Sequence, residues 1–193
     1  MARKFMEIAL TPSVQHTQET YYGRRQQVES GPDSDALGEN EQSFIAGRNS
    51  FYMASVNEDG WPYIQHRGGP EGFLKVISPS QIAFADYKGN RQLISAGNLS
   101  LHSRVSLFLM DYPSRTRLKI LGTAQVQKIS EAPQEILNKI GNTSLGRTER
   151  VFVIDIVSYD WNCPQYITPR YSQEEMSPII EGLKQRIHEL ENV

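Results

Sequence analysis

Cysteine is nearly absent from this chain of 193 residues, since Cys163 is the only one. A single thiol excludes an internal disulfide and cannot by itself make a cysteine-type zinc site. The sequence therefore favours a reducing, cytoplasmic environment. The short apolar run after Arg3 and Lys4 is interrupted by Glu7, which argues against a signal peptide.

Several other patterns are missing. No stretch approaches the ~20 apolar residues that a membrane helix needs, so we expect no membrane partner. No Gly-x-Ser-x-Gly turn marks a nucleophile, although a Ser-His-Asp arrangement stays open on composition alone. The histidines share no metal-ligand spacing, so we predict no metal site. They are His16, His66, His102 and His188.

The charge of the chain is balanced overall but uneven locally. Its 20 Lys and Arg residues face 22 Asp and Glu residues, for a formal charge of -2, which gives no general attraction to nucleic acid. Residues 61–126, in contrast, carry eight basic and three acidic residues. We therefore expect a small anionic ligand in this segment and no nucleic-acid partner.

Alternating hydrophobicity is the strongest structural signal. From Arg115 to Gln127, five apolar or small residues share one face of a strand: Leu118, Ile120, Gly122, Ala124 and Val126. Further strands are predicted over residues 50–56, 61–67, 73–77, 82–86, 104–112 and 150–158. With 38% hydrophobic residues the chain suits one domain. We expect a mainly β, α+β protein built on a small antiparallel barrel.

The predicted organisation has three parts. Residues 1–40 form a helix that begins at Thr11-Pro12 and then a surface arm, and residues 41–170 form the barrel. Residues 171–193 form an amphipathic helix that begins at Ser172 or Ser177. Its apolar stripe consists of Ile179, Ile180, Leu183, Ile187 and Leu190. We expect this stripe to pack on its own barrel, with a second subunit as the alternative.

A phosphate site is predicted where a strand runs into a helix. Asn90 is a favoured N-cap, and Arg91 and Gln92 would then lie in the first turn. Unpaired N–H groups at a helix start attract phosphate, and a guanidinium can bind it bidentately. The alternative is a solvated helix start with an ordinary surface arginine.

These elements, taken in order, resemble the pyridoxamine 5'-phosphate oxidase-like FMN-binding split-barrel family. The likeness covers roughly residues 45–127 and continues more weakly through Trp161–Tyr166. The segments that carry it are Arg67, Phe73-Leu74-Lys75, Phe84-Ala85-Asp86-Tyr87, Asn90-Arg91-Gln92, Arg104 to Phe108 and Arg117 to Gly122. The resemblance implies a split barrel with FMN as cofactor and an oxidoreductase activity.

The resemblance also implies cofactor-binding residues. Arg67 and Lys75 match basic positions that reach the FMN phosphate, and Asn90 and Arg91 match an Arg-Lys pair there. Arg117 falls where the oxidases have a glutamine that reaches the flavin from the partner subunit, so a homodimer with interface sites is implied, completed in part by Trp161 or Tyr166. The full implied set is Arg67, Lys75, Val76, Ala85, Asn90, Arg91, Gln92 and Arg117.

The substrate is not specified by this resemblance. True pyridoxamine phosphate oxidases end in an Arg-x-His segment, whose one match here, Arg186-Ile187-His188, lies in a predicted amphipathic helix and is taken as chance. No catalytic residue is assigned. A non-enzymatic flavin carrier or sensor, haem or deazaflavin binding on the same barrel, and oxidation of pyridoxamine 5'-phosphate remain alternatives.

Overall fold

A computed structural model describes residues 3–89, 91–141, 148–161 and 164–192. Within these ranges the strands form one antiparallel sheet in the order β2-β1-β5-β6-β7-β4-β3. The predicted mainly β, α+β architecture is confirmed. The strands are β1 Ser50–Val56, β2 Pro62–Gly68, β3 Lys75–Ser78, β4 Gln81–Tyr87, β5 Arg104–Asp111, β6 Thr116–Lys128 and β7 Thr148–Trp161.

Helices flank the sheet, and two begin where the capping residues predict. The Thr11 hydroxyl accepts from the Val14 N–H at 3.4 Å, and Pro12 occupies the first turn of α2. Ser172 caps α6 in a capping box with Glu175, so the first of its two predicted starts is correct. The helices are α1 Arg3–Ala9, α2 Pro12–Tyr22, α3 Glu39–Ala46, α4 Ile94–Leu101, α5 Gln134–Ile140 and α6 Gln173–Glu191.

The predicted start of α4 is wrong. The helix begins at Ile94, so Arg91 and Gln92 precede it. Leu93 occupies the N-cap position with φ 56° and makes no side-chain capping bond, and Arg91 also has a positive φ of 60°. A cap preference is worth only about 1 kcal/mol, so it is easily overridden by the turn that the chain makes between β4 and α4.

The core lies on the inner face of the curled sheet. Leu118, Ile120 and Ala124 of β6 are buried, whereas Arg117 and Lys119 on the alternate positions are partly exposed, as the period of two predicts. The large side chains that fill this face come from several strands. They include Phe51, Met53, Phe84, Leu107, Leu109, Phe152 and Ile154.

The segment between α2 and α3 is tied to the barrel. Asp35 donates its backbone N–H to the Val157 carbonyl at 3.0 Å, and Leu37 donates to Pro79 at 2.7 Å. Leu37 is itself buried in the main core. Residues 24–38 therefore run over the surface and are anchored by one apolar side chain and by β7.

The terminal helix is the least buried element. No residue of α6 is buried, and the residues of its predicted apolar stripe expose from 43% (Ile180) to 61% (Leu183 and Leu190) of their surface, whereas Met176 is half-buried. The monomer therefore does not show the predicted packing of this stripe on its own barrel, because an amphipathic pattern indicates that a face needs cover without specifying which surface covers it. No helix in the described ranges is long and apolar enough to cross a membrane.

Candidate functional site

A cavity of about 290 Å³ opens at the split in the barrel. Its walls come from β2, β4, β7 and the turn that leads into α4. The charged and aromatic side chains among its lining residues are Tyr63, Arg67, Asp86, Tyr87, Arg91, Arg150 and Phe152.

An ion-pair network forms the floor of this cavity. Asp86 Oδ1 accepts from Arg67 Nη1 at 2.7 Å, and Asp86 Oδ2 accepts from Arg150 Nε at 3.0 Å. Arg150 Nη2 also donates to Glu149 at 2.9 Å. The side chains of Arg67, Asp86 and Arg150 are only 13%, 12% and 21% exposed, so one carboxylate holds two largely desolvated guanidinium groups in fixed positions.

Two aromatic rings pack against the Arg67 guanidinium. Its carbon lies 4.8 Å from the ring centroid of Phe152 and 5.5 Å from that of Phe84, within cation–π range. Its Nε is buried and has no hydrogen-bond partner in the described part of the chain. A buried donor without an acceptor is costly, so the bond to Asp86 and the two aromatic rings are what hold this guanidinium in place.

The turn into α4 forms the rim of the cavity and is held in a strained conformation. Arg91 and Leu93 both have left-handed backbones, each at a cost of roughly 1–3 kcal/mol for a residue other than glycine. Ser95 donates to the Gln65 side chain at 2.9 Å, which ties the first helical turn to β2. The residues at this helix start line the cavity, and the first N–H groups of a helix have no acceptors within it, so they favour an anion there.

The electrostatics of the cavity match a phosphate. Three guanidinium groups, from Arg67, Arg91 and Arg150, line the cavity with one carboxylate, that of Asp86, and Glu149 outside the lining is paired with Arg150. The volume lies at the lower end of the roughly 300–1,000 Å³ usual for small-molecule sites. The residues present therefore fit the phosphate end of a cofactor such as FMN, with the remainder of the molecule outside the cavity.

The structure brings three of the predicted cofactor residues together: Arg67, Arg91 and Gln92 line the cavity. Four others lie elsewhere on the monomer, and Asn90 lies outside the described residues. Lys75 begins β3, Val76 packs against the main core, Ala85 is buried in the cluster beneath α5, and Arg117 lies on the outer face of β6.

Arg117 and Lys119 have neighbours in their own chain. The Arg117 guanidinium lies 5.4 Å from the ring centroid of Phe108. Lys119 pairs with Asp160 at 2.6 Å and lies 4.6 Å from the ring of Phe5 in α1. The N-terminal helix therefore covers part of the outer face of β6 in its own chain.

Sequence reasoning missed Arg150 and the role of Asp86. Arg150 precedes an apolar run in β7 and lies 64 positions from Asp86 along the chain. In the sheet the two residues are direct partners in the antiparallel register of β4 and β7. A charged residue of opposite sign near the end of each strand was the available signal, but using it required the strand pairing to be known.

A second group of titratable residues lies away from the cavity, where β7 meets the N-terminal arm. Burial raises the pKa of the Asp35 carboxyl, although the Tyr159 backbone N–H and Lys4 act against this shift. Burial, with the nearby Glu41 and Asp35, also raises the pKa of the Tyr159 hydroxyl. Among the described residues, no group of three or more His, Cys, Asp or Glu side chains is placed to hold a metal ion.

Comparisons with known proteins agree with this architecture. The most informative is a family model described as pyridoxamine 5'-phosphate oxidase, which matches residues 37–156. A solved structure from Lactobacillus delbrueckii, named as a candidate pyridoxamine 5'-phosphate oxidase, is 24% identical with a TM-score of 0.50, covering 66% of this chain and 96% of the other. HupZ of Group A Streptococcus is 13% identical with a TM-score of 0.52, covering 70% of this chain and 100% of the other.

These structural likenesses, at identities below 25%, show the fold. A comparison with curated proteins gave no match. The family model spans well over half of the chain, from Leu37 to Ile156. It includes every strand of the sheet except the C-terminal end of β7, residues 157–161. The chain belongs to the pyridoxamine 5'-phosphate oxidase family.

Proposed function

We propose that this protein binds FMN through the cavity at the split of the barrel and acts as an FMN-dependent oxidoreductase on a small molecule. The observation that carries the proposal is the group of three arginines, Arg67, Arg91 and Arg150, around one cavity with Asp86 as their only carboxylate in its lining. Membership of the family supports the choice of a flavin as the ligand.

The three arginines have different parts in holding the phosphate. Arg67 and Arg150 are fixed by Asp86 before the ligand arrives, so little side-chain entropy is lost when they bind it. Arg91 is exposed on the rim and closes onto the phosphate from the solvent side. A site with this net positive charge suits one terminal phosphate, and therefore FMN rather than FAD. FMN, when bound, would supply two-electron redox chemistry at its ring.

The flavin ring needs a second surface, because the cavity accommodates little more than the phosphate end. We infer that a second copy of the chain supplies it. The outer faces of β1 and β2 expose apolar side chains, with Tyr52 at 39% and Ile64 at 66% exposure, and Phe108 of β5 lies directly opposite Tyr52 in the sheet. Arg117, beside Phe108, would then reach the ring bound to the partner subunit.

The visible spectrum of the purified protein tests this function. We expect a yellow protein that releases FMN, identified by chromatography against FAD and a deazaflavin standard, when it is denatured. A colourless protein that also fails to bind added FMN would contradict the proposal. A spectrum typical of haem or of a deazaflavin would show that the protein binds that cofactor and not FMN. Rapid reduction by a nicotinamide donor and reoxidation by an acceptor would distinguish an enzyme from a carrier or sensor.

A further inference from the structure

The C-terminal helix carries an apolar stripe that nothing else in the described chain buries. It runs for 19 residues and contains Pro178 and Gly182, both of which weaken an isolated helix. Propensity alone therefore gives a marginal helix in water. A surface that covers the stripe would supply the missing stability.

Four residues of the stripe, together with the half-buried Met176, follow a seven-residue repeat with alternating steps of four and three residues. Its seam consists of Met176, Ile180, Leu183, Ile187 and Leu190. In coiled-coil terms Ile180 and Ile187 occupy a positions, while the other three occupy d positions. Isoleucine at a with leucine at d favours two parallel strands. The proline and the glycine fall at outer positions, where they do not interrupt the seam.

Charges beside the seam fit the same arrangement. Arg186 occupies a g position and Glu191 the e position five residues later. In a parallel pair these positions face each other across the interface, so Arg186 meets Glu191 of the partner subunit. In the monomer Arg186 contacts Glu189 at 2.9 Å, but that pair is exposed and contributes little, so the exchange costs little.

A membrane surface is a poorer fit for this helix. Interfacial helices are usually rich in lysine and arginine, which attract anionic lipids. The helix from Gln173 to Glu191 carries two basic and five acidic residues. Its polar face would be repelled by such a surface, whereas the repeat and the Arg186–Glu191 spacing specify a second copy of the same helix.

We propose that the C-terminal helices of two chains pair as a short parallel coiled coil along the seam defined above. The pairing extends beyond the flavin site, since no residue of α6 lines the cavity. It would add a second, self-complementary contact to a dimer formed through the barrels. Once either contact has formed, the two chains are held together, which raises the effective concentration at which the other contact forms.

Disulfide trapping in the full-length protein tests the pairing and its direction. In a Cys163→Ser background, Ile187→Cys places one thiol at an a position, and Gln185→Cys on the outer face is the matched control. We expect rapid dimer formation by Ile187→Cys under mild oxidation and much slower formation by Gln185→Cys. Equal rates for the two variants would overturn the proposal. So would a result in which Ile187→Cys chains form disulfides with Leu183→Cys chains but not with one another, because that pattern indicates an antiparallel pair.

Sedimentation provides a second measurement that does not depend on the cofactor. Ile180→Asp with Ile187→Asp should weaken self-association at least tenfold, which corresponds to about 1.4 kcal/mol, whereas Gln185→Asp should not. FMN binding measured at high protein concentration should be unchanged, so a failed flavin site and a failed helix pairing give different results. Unchanged self-association of the double variant would refute the pairing. A double variant that keeps its self-association but loses binding to anionic lipid vesicles would refute it as well, because the stripe would then face a membrane.

Discussion

Arg67 Nη1 lies 2.7 Å from Asp86 Oδ1, and this contact joins strands from opposite ends of the sheet. β2 is one edge of the sheet, whereas β4 is next to the other edge, so the sheet has curled until side chains bridge the split. The same carboxylate also holds Arg150. Asp86 therefore takes part in closing the barrel, together with core contacts such as that of Phe51 with Phe84, and in assembling the proposed phosphate site.

Asp86→Asn should destabilise the protein without ligand more than the protein with ligand. Removing the charge leaves Arg67 and Arg150 largely buried without a counter-ion, for which we expect a loss of about 3 kcal/mol in the free energy of unfolding. A bound phosphate would replace part of the missing charge. Inorganic phosphate or FMN should then raise the melting temperature of the variant more than that of the parent. Equal shifts in both proteins would mean that the anion binds elsewhere.

Arg91→Ala should weaken FMN binding and leave the fold intact. Arg91 is exposed at the cavity rim, so its loss opens no core. A hydrogen bond to a charged group is worth about 1.5–3 kcal/mol, which corresponds to about tenfold to a hundredfold in affinity. Lys184→Ala removes an exposed cation from the terminal helix, none of whose residues lines the cavity, and serves as the control. Fluorescence titration of the apoprotein with FMN measures both, and equal affinities would show that the phosphate lies elsewhere.

The strands could be predicted from the sequence because burial on one face leaves a period of two. The strand predicted over residues 50–56 coincides with β1, and the predicted inward face of β6 is confirmed from Leu118 to Ala124. Such patterns are local, because successive side chains of a strand face the core and the solvent in turn. The fold class follows from the number and spacing of these strands, without knowledge of which strand pairs with which.

The site could be predicted only in part, because its contacts join distant strands. Arg67 and Arg91 were identified, but the carboxylate that holds Arg67 and the third arginine at Arg150 depend on the pairing of β4 with β7. The predicted start of α4 is wrong because a favoured N-cap residue such as Asn90 has only a weak preference for that position. The left-handed backbone at Leu93 is set by the surrounding structure. Tertiary constraint decided both outcomes.

Gly122→Ala should lower stability. A Cβ at this position would lie 2.6 Å from the Asp155 carbonyl oxygen, where β6 and β7 shift register. Because backbone blocks the methyl group, we expect a loss of about 2 kcal/mol from overpacking. Gly97→Ala in α4 is the control, since its Cβ meets no atom within 4 Å and alanine favours the helix. Urea unfolding measures both, and a neutral Gly122→Ala would show that the strands can separate freely.

Asp35→Asn should change how stability depends on pH. Burial raises the pKa of Asp35 above its ordinary value of 3.8, and its Oδ2 has no hydrogen-bond partner in the described ranges. Between the ordinary and the raised pKa the folded state binds more protons, so this carboxyl lowers stability as pH rises through that window. The melting temperature of Asp35→Asn relative to the parent should therefore increase with pH and then level off. A difference in melting temperature between Asp35→Asn and the parent that stays constant with pH would show that burial does not raise the pKa of this carboxyl.

Two impaired chains should restore one flavin site when they are mixed. If each site takes Arg91 from one subunit and Arg117 from the other, an Arg91→Ala chain and an Arg117→Ala chain each lack a contact in both homodimer sites. Their heterodimer has one site without either arginine and one site with both. After subunit exchange, proven by mass-tagged chains, up to half of the sites in the heterodimers should bind FMN with parental affinity. A mixture that binds no better than the separate variants would place Arg91 and Arg117 in the same subunit's site or exclude Arg117 from it, because only sharing between chains produces an intact site by exchange.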